Sequence, residues 1–189
     1  MYHDAPQTGS LGADLRALRK ARGLTLADLA ARLDRSVGWL SQVERDLSAP
    51  SVPDLRQISA QLGVPISLLF GQAPAPADEL GYVVRRANRR PIGSTAAGLT
   101  EELLSPDLTD DFEMVHSTFA PHSRIDRVVT RPTQEVGYLI SGRLDLEIGP
   151  RRFTIHPGDS FRIRGEPHRW INPYDQPAVA IWVIAPPVY

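Results

Sequence analysis

LTLADLAARLDRSVGWLSQVERDLSAP, residues 24–50, decides the fold of the first third of this chain. Thr25 is a good amino-terminal cap for one short helix, and Ser36 is a good cap for a second. Asp34 stands between them, where a tight turn needs a residue that tolerates the left-handed backbone conformation. Two short helices joined by such a turn are typical of a helix-turn-helix that reads duplex DNA.

The helical pattern continues on both sides of this stretch. Leucines at three- and four-residue spacing predict an earlier helix, which Gly23 ends. Ser51 opens a further helix that ends at Gly63, and a short fifth helical segment follows it. The sequence therefore predicts a compact five-helix domain over residues 10–70.

The outward side of the helix that follows Ser36 predicts the DNA contacts. Gln42 has the amide geometry that pairs with adenine edges, and Val37 is suited to a thymine methyl group. Ser36 and the first backbone N–H groups of the helix are expected to hold phosphate. The predicted DNA-contacting residues are Ser36, Val37, Gly38, Trp39, Ser41, Gln42 and Arg45, and Trp39 is left open between DNA contact and packing at the domain surface.

Composition limits the remaining possibilities. Residues 10–70 carry eight basic and six acidic side chains, and the whole chain has a net charge of -1, so bulk charge does not supply phosphate attraction. The chain has no cysteine, which excludes disulfides and thiolate metal sites. No apolar run approaches the ~20 residues that span a bilayer, and the start of the chain lacks a secretion signal. We therefore expect a cytoplasmic protein with no membrane contact.

The sequence pattern is different outside residues 10–70. Residues 1–9 are predicted to be a frayed tail, and residues 71–79 a Pro/Ala linker. Residues 80–189 alternate β-branched and aromatic runs with turn residues, which predicts an all-β sandwich or small barrel. The predicted strand runs are GYVVRR, FEMVHSTF, EVGYLISG, RLDLEIG, RRFTIHPGD, SFRIRG, HRWINP and AVAIWVIAP.

Residues 11–70 resemble the XRE family, the lambdoid phage repressor-like regulators. The residues that carry this resemblance are Arg19, Gly23-Leu24-Thr25, Leu29-Ala30, Ser36, Leu40-Ser41-Gln42-Val43-Glu44-Arg45, Pro50 and Leu62-Gly63-Val64. The resemblance implies a partly buried ion pair between Arg19 and Glu44. Two positions depart from the family pattern: Leu26 stands where Gln is frequent, and Asp34 replaces the usual turn glycine.

The β-rich part resembles the cupin family, a small double-stranded β-barrel, in two segments. These segments are residues 131–142 and 157–172. In metal-binding cupins the first segment supplies two His and one Glu, and the second supplies one His. Carried over, the Glu is Glu135 and the last His is His168, whereas Val129 and Arg131 replace the first two His. The resemblance thus implies a cupin without metal or other cofactor, with His122 as the remaining upstream candidate for a ligand.

Arg131 and Glu135 are expected to face the barrel interior, with two alternatives for their role. In one, they form an internal ion pair with His168 as a hydrogen-bonded neighbour. In the other, Arg131 offers two parallel donors to an anionic effector. The predicted ligand-binding residues are Arg131, Glu135, Tyr138, His168 and Arg124.

Together these features predict a multidomain α and β protein, with an amino-terminal helix-turn-helix domain and a carboxyl-terminal cupin barrel. The predicted function is transcription regulation: operator DNA binds the helices, and the cupin dimerises and senses a small molecule, expected to be an anion. The alternative is a metal-dependent cupin enzyme resembling hydroxypropylphosphonate epoxidase, whose iron is held by two His and one Glu. Arg131 argues against that enzyme, because a permanent cation replaces a neutral ligand.

Overall fold

The computed structural model describes residues 10–70, 76, 78–79, 81–92, 97–106, 108 and 110–188. The chain divides into two compact units: a helical unit that runs through Arg90, and a strand-rich unit of residues 91–105 and 110–188. The predicted tail, residues 1–9, and most of the predicted linker, residues 71–75 and 77, lie outside the described residues.

Among the described residues, four α-helices build the helical unit, and three of them begin at the predicted caps Thr25, Ser36 and Ser51. They are α1 (Leu11–Ala21), α2 (Leu26–Arg32), α3 (Val37–Glu44) and α4 (Val52–Leu62). The hydroxyls of Ser10, Thr25, Ser36 and Ser51 each accept a hydrogen bond from the third backbone N–H of their helix. The prediction of a fifth α-helix is not confirmed. Ile66–Leu69 forms a single 3-10 turn, because Pro65 precedes it in an extended conformation and Phe70 is extended again after it.

The buried ion pair implied by the XRE resemblance is confirmed. The Arg19 guanidinium donates from Nε to Oε1 of Glu44 at 2.6 Å and from Nη2 to Oε2 at 2.8 Å. Its third nitrogen donates to the Leu24 carbonyl oxygen at 2.7 Å. The turn prediction also holds, since Asp34 has a φ of 53°. These bonds fix α1 against α3 and so set the position of the helix predicted to read DNA.

Helices α1 and α3 approach each other closely at Gly12. A Cβ atom there would lie 2.4 Å from the Val43 carbonyl oxygen. The Gly12 N–H donates to Oδ1 of Asp46 at 2.8 Å, which ties α1 to the residues just after α3. Only glycine fits this contact without movement of one of the two helices.

Ten strands form two sheets in the described part of the strand-rich unit. They are β1 (Arg90–Ile92), β2 (Leu99–Leu103), β3 (Glu113–Phe119), β4 (Ser123–Arg124), β5 (Gln134–Ser141), β6 (Leu144–Ile148), β7 (Arg151–Ile155), β8 (Ser160–Arg164), β9 (His168–Asn172) and β10 (Ala178–Ala185). The six-stranded sheet has the order β1-β2-β3-β10-β5-β8, and the four-stranded sheet the order β4-β9-β6-β7. The pairings specified by residue register are antiparallel.

Apolar side chains from both sheets fill the space between them. Phe119 and Trp170 meet edge to face at 4.8 Å between ring centroids, and Phe161 and Trp182 meet at 4.7 Å. Buried Asn172 on β9 donates to the carbonyl oxygens of Phe119 and Ala120 at 3.1 and 3.0 Å, and so joins the two sheets. Trp170, Trp182 and Ile163 belong to this core, and Phe161 packs against it.

One predicted strand is wrong. Residues 81–86, GYVVRR, form a turn that leads into a 3-10 helix at Arg86–Asn88. The N–H groups of Tyr82 and Val83 both donate to the Glu79 carbonyl oxygen, at 3.0 and 2.9 Å, which closes a turn. Tyr82 is 83% exposed, so no neighbouring strand covers this apolar run. None of the described helices is long and apolar enough to cross a membrane.

Candidate functional sites

The exposed side of α3 carries the residues predicted to contact DNA. Ser36, Val37, Gly38, Gln42 and Arg45 are exposed, and Trp39 and Ser41 are partly buried. The opposite side of the helix is buried through Leu40, Val43 and Glu44. Packing therefore uses one side of α3 and leaves the other available to a partner.

The start of α3 has the geometry to approach a second molecule closely. A Cβ atom at Gly38 would meet no atom within 4 Å, so the surface above this residue is open. The Ser36 oxygen accepts a hydrogen bond from the Trp39 N–H at 3.1 Å, which leaves its hydroxyl hydrogen able to donate. Helix amino termini of this kind attract phosphate, because their first N–H groups point outward.

Trp39 packs at the domain surface against a residue that the sequence did not single out. The Arg35 guanidinium lies 5.1 Å from the centre of the Trp39 ring, and Arg35 also donates to Oδ1 of Asp54 at 2.6 Å. This arrangement holds Arg35 beside the amino terminus of α3. In the sequence, Arg35 could have been identified as a candidate because it lies one residue before the Ser36 cap.

A second group of polar residues lies inside the strand-rich unit. Glu101, Glu113 and Glu135 project from the six-stranded sheet toward the apolar core, and we call them the interior acidic cluster. Glu113 on β3 and Glu135 on β5 both lie opposite Ile184 on β10, so the two carboxyl groups flank one residue on the same face. Glu101 lies opposite Ser117, whose hydroxyl donates to Oε1 of Glu101 at 3.2 Å.

Burial shapes the electrostatics of this cluster. Glu113 is only 2% exposed, and burial raises its pKa from 4.5 to about 7, partly opposed by the positive charge of Arg131. Burial also raises the pKa of Glu101, again opposed by Arg131. Glu135 accepts a hydrogen bond from the Thr133 hydroxyl at 2.8 Å. Arg131 is thus a cation close to the carboxyl groups of the cluster.

Two buried polar atoms of this interior lack partners within the described part of the chain. Oε1 of Glu113 accepts from the Val188 N–H at 3.2 Å, but Oε2 has no hydrogen-bond partner. The indole Nε1 of Trp182, on the neighbouring strand β10, is also buried and unpartnered. Buried polar atoms of this kind are uncommon in folded proteins, and each adds a donor or acceptor that a small molecule can satisfy.

Two of the predicted ligand-binding residues do not join this interior. Tyr138 lies three residues after Glu135 on β5, so it points to the opposite face of the sheet and is half exposed. Arg124 is exposed and donates to Oδ1 of Asp126 at 2.8 Å. The shared site predicted for Arg131, Glu135, Tyr138, His168 and Arg124 is therefore corrected to one that leaves out Tyr138 and Arg124.

His168 is partly buried on β9, in the other sheet. Its Nδ1 lies 3.1 Å from the carbonyl oxygen of Glu166, and its backbone pairs with Val129 in both directions at 2.8 Å. The segment that leads to Arg131 therefore runs beside His168. The hydrogen bond predicted between His168 and the Arg131–Glu135 pair is not seen among the contacts of the described residues.

These residues do not fit the metal site of a metal-binding cupin. Glu135 and His168 are the two ligands that remain of the implied set, and the other two implied positions hold Val129 and Arg131. His122 is exposed, and its Nε2 lies 3.0 Å from Oδ1 of Asp175. Within the described ranges, no group of three or more His, Asp or Glu side chains is arranged to hold a metal ion.

Comparison with known families matches both units. The family described as "Helix-turn-helix domain" matches residues 10–69, and the family described as "Cupin domain" matches residues 115–184. The chain combines a helix-turn-helix domain with a cupin domain. The first family covers α1 to α4, and the second covers β3 to β10 up to Ile184.

Several known proteins are similar to this chain. The immunity repressor protein of Bacillus phage phi105 is 33% identical over 63 residues, which are 33% of this chain and 44% of the repressor. The chain therefore matches less than half the length of that relative.

Solved structures resemble the chain at low sequence identity. An HTH_3 family transcriptional regulator from Vibrio cholerae is 20% identical, with a TM-score of 0.46 over 94% of this chain and 95% of the other. FeII HppE is 16% identical, with a TM-score of 0.48 over 95% and 100% of the two chains. The cupin domain of an XRE family regulator from Enterobacter cloacae is 24% identical, with a TM-score of 0.43 over 48% and 98%.

Proposed function

We propose that this protein is a sequence-specific regulator that binds double-stranded operator DNA through α3. The exposed face of α3 carries the proposal, because residues suited to base and phosphate contact share that face while the packing residues are buried behind it. The similarity to a phage repressor over the helical region supports the same function.

The contacts divide by chemistry. Gln42 has an amide that can donate to adenine N7 and accept from its N6 amino group, and exposed Val37 offers methyl groups to thymine. Ser36 and the first N–H groups of α3 would hold phosphate and fix the register without reading sequence. Arg45, just past the end of α3, would pair with the phosphate backbone of the DNA.

The test is selection of duplexes from a random pool by the full-length protein. Enrichment of one short motif in half-sites about 10 base pairs apart is the expected result, because a dimer presents two recognition helices about one DNA turn apart. Gln42→Ala should lose part of the motif, whereas Gln57→Ala, on the exposed face of α4, should select the same motif. A pool that stays random after selection by the native protein would contradict the proposal.

We further propose that the interior acidic cluster senses a small molecule with a cationic amine. The cluster has three carboxyl groups, with one guanidinium nearby. A bound amine would therefore find more hydrogen-bond acceptors there than a bound anion would find donors. The unpartnered Oε2 of Glu113 supports this choice. The anionic effector expected from the sequence relied on Arg131, whose positive charge here acts on the carboxyl groups of Glu101 and Glu113.

A thermal-shift titration of the full-length protein tests this effector class. The probes are 1,4-diaminobutane and agmatine, compared with succinate and with divalent metals with and without chelator. An amine that binds the native state raises the melting temperature by mass action, and Glu135→Gln should remove that shift while Glu166→Gln keeps it. A shift with succinate alone would restore the anionic effector, and a metal shift would favour an enzyme.

The enzyme alternative is supported less well. The ligand set resembling that of hydroxypropylphosphonate epoxidase is incomplete here, because Arg131 and Val129 stand where two His are implied. We therefore propose a regulator and not an enzyme, with the cupin domain as its dimerisation unit.

A further inference from the structure

Arg35 lies at the border of the exposed face of α3, between the left-handed Asp34 and the Ser36 cap. Its backbone N–H donates to the Ala30 carbonyl oxygen at 3.0 Å, which fixes the base of its side chain against the end of α2. The side chain is 48% exposed, so about half of this cation remains in contact with water. A cation at this position is accessible to a negatively charged partner.

Two contacts hold the Arg35 guanidinium in one orientation. Its Nη2 donates to Oδ1 of Asp54 at 2.6 Å, and its central carbon lies 5.1 Å from the centre of the Trp39 ring. Asp54 is itself fixed, because its second oxygen accepts hydrogen bonds from the N–H and the hydroxyl of Ser51 at 3.0 and 2.6 Å. A free arginine side chain samples many rotamers, and these contacts restrict Arg35 before a partner binds.

The remaining donors of Arg35 are suited to a phosphate group. A guanidinium has five N–H donors, and the hydrogen bonds among the described residues engage only the Nη2 nitrogen of Arg35. Asp54 does not compete for the exposed part of the guanidinium, because it is 8% exposed and both of its oxygens already accept hydrogen bonds. Nε and Nη1 therefore keep hydrogens for a phosphate oxygen, and such hydrogen bonds are charge-assisted.

The position of Arg35 favours the DNA backbone over the bases. Arg35 precedes α3 and is tied to α4 through Asp54, so it lies beside the residues proposed to contact bases and not among them. A recognition helix in the major groove has base edges in front of it and phosphates along its flanks. A cation at the flank of α3 would therefore meet phosphate.

We propose that the Arg35–Trp39 pair binds one backbone phosphate of the operator, with Arg35 as the hydrogen-bonding cation and the Trp39 ring as the surface that keeps it in place. The proposal rests on the operator binding proposed above and adds a contact that fixes the register of α3 on the duplex. Phosphate contacts of this kind position a protein without reading sequence. Trp39 thereby contributes to DNA binding through Arg35 while it packs at the domain surface.

The salt dependence of operator binding by the full-length protein tests the contact. Each phosphate contact releases about 0.9 counterion, so Arg35→Gln should lower the slope of log affinity against log salt concentration by about 0.9 per subunit. Affinity at low salt should fall by roughly tenfold, because charge-assisted hydrogen bonds are lost. Arg151→Gln is the matched control, since Arg151 is an exposed arginine on β7 of the strand-rich unit, and it should keep the native slope and affinity.

Neutralisation of single phosphates locates the contact. In operator duplexes that carry one methylphosphonate at a time, the native protein should lose affinity at each phosphate that it contacts. Arg35→Gln should be insensitive at one of these positions in each half-site and keep the native sensitivity elsewhere, a change that a merely structural role of Arg35 would not produce. Circular dichroism establishes that each variant is folded, and Arg35→Met replaces Arg35→Gln if the latter does not fold.

The two experiments separate this contact from operator binding itself. An Arg35→Gln protein with the native slope and the native pattern of sensitive phosphates would overturn the phosphate contact alone, because the native protein binds the operator in the same titrations. A native protein that binds no operator would overturn the proposed regulator and this contact together.

Discussion

Two helical glycines show how single residues divide between folding and function. Gly12 lies where α1 meets the backbone of α3, whereas Gly38 lies on the open face of α3. Both are in helices, so an alanine at either position gains similar helix propensity, roughly 0.5–1 kcal/mol. Their surroundings therefore decide the net effect of substitution.

We predict that Gly12→Ala destabilises the helical unit by about 1–3 kcal/mol net, because the added methyl group would lie 2.4 Å from the Val43 carbonyl oxygen. Gly38→Ala should leave stability unchanged or slightly raised, but should weaken DNA binding by placing a methyl group on the recognition face. Urea denaturation followed by circular dichroism, with DNA affinity measured in parallel, checks both variants. Equal stability of the two variants would show that the α1–α3 contact is loose.

The sequence predicted individual residues well where one local rule decides the outcome. The caps at Thr25, Ser36 and Ser51 and the left-handed Asp34 follow from short-range hydrogen bonding and backbone sterics. Tyr138 is a residue that a simple sequence rule excludes from the interior site, although the prediction included it. A strand alternates faces every residue, so an odd separation from Glu135 excludes a shared face.

At the scale of elements, strand β3 is unusual because it places a carboxylate on its core-facing side. Glu113 begins the strand on its inward face, in line with Val115 and Phe119. Nothing in the local sequence distinguishes this carboxylate from an exposed one, because its neighbours come from β5 and β10. Strand pairing at long range is what creates the interior acidic cluster, which is why the sequence identified Glu135 through a family resemblance and missed Glu101 and Glu113.

The raised pKa of Glu113 predicts a pH dependence of stability. Its ordinary value is 4.5 and its folded-state value is about 7, so between these pH values the folded state binds more protons than the unfolded state. The free energy of unfolding should therefore fall as pH rises from 4.5 to 7, by an amount on the order of 1–3 kcal/mol. Glu101, Glu135 and Arg131 act on the same carboxyl and modulate this window.

Glu113→Gln removes the titrating group and keeps an oxygen for the Val188 N–H. We expect this variant to gain stability over the native protein at pH 8 and to show no such gain at pH 4, where the native carboxyl is protonated. Thermal unfolding of both proteins across this range measures the difference. If the gap between the two proteins is constant with pH, Glu113 has an ordinary pKa in the fold.

Two errors in the predicted strands have a related cause: β2 was not predicted, and GYVVRR was predicted but is not a strand. The sequence of β2, LTEEL, looks polar, yet Glu101 faces inward and Glu102 outward, so the strand exists because β3 pairs with it. GYVVRR, in contrast, has strong β propensity but pairs with no strand of the described residues. Pairing partners decided both outcomes, and they cannot be read from a window of a few residues.

At the scale of the whole molecule, one chain carries a helix-turn-helix domain, proposed to read DNA, and a cupin domain, proposed to sense a small molecule. The two family matches establish the two kinds of domain. Composition indicated two domains, and the change from helical to strand periodicity placed them in order along the chain. The proposed regulatory function depends on the claim that the exposed face of α3 reads bases.

The most direct test of that claim measures discrimination at single base pairs. The selected operator duplex and its single-base variants are titrated with the native protein and with Gln42→Ala at one fixed salt concentration. We predict that Gln42→Ala loses discrimination at one A·T pair in each half-site, about 1–3 kcal/mol at that pair, and keeps it elsewhere. A Gln42→Ala protein that discriminates at every position as the native protein does would contradict base reading by this face of α3.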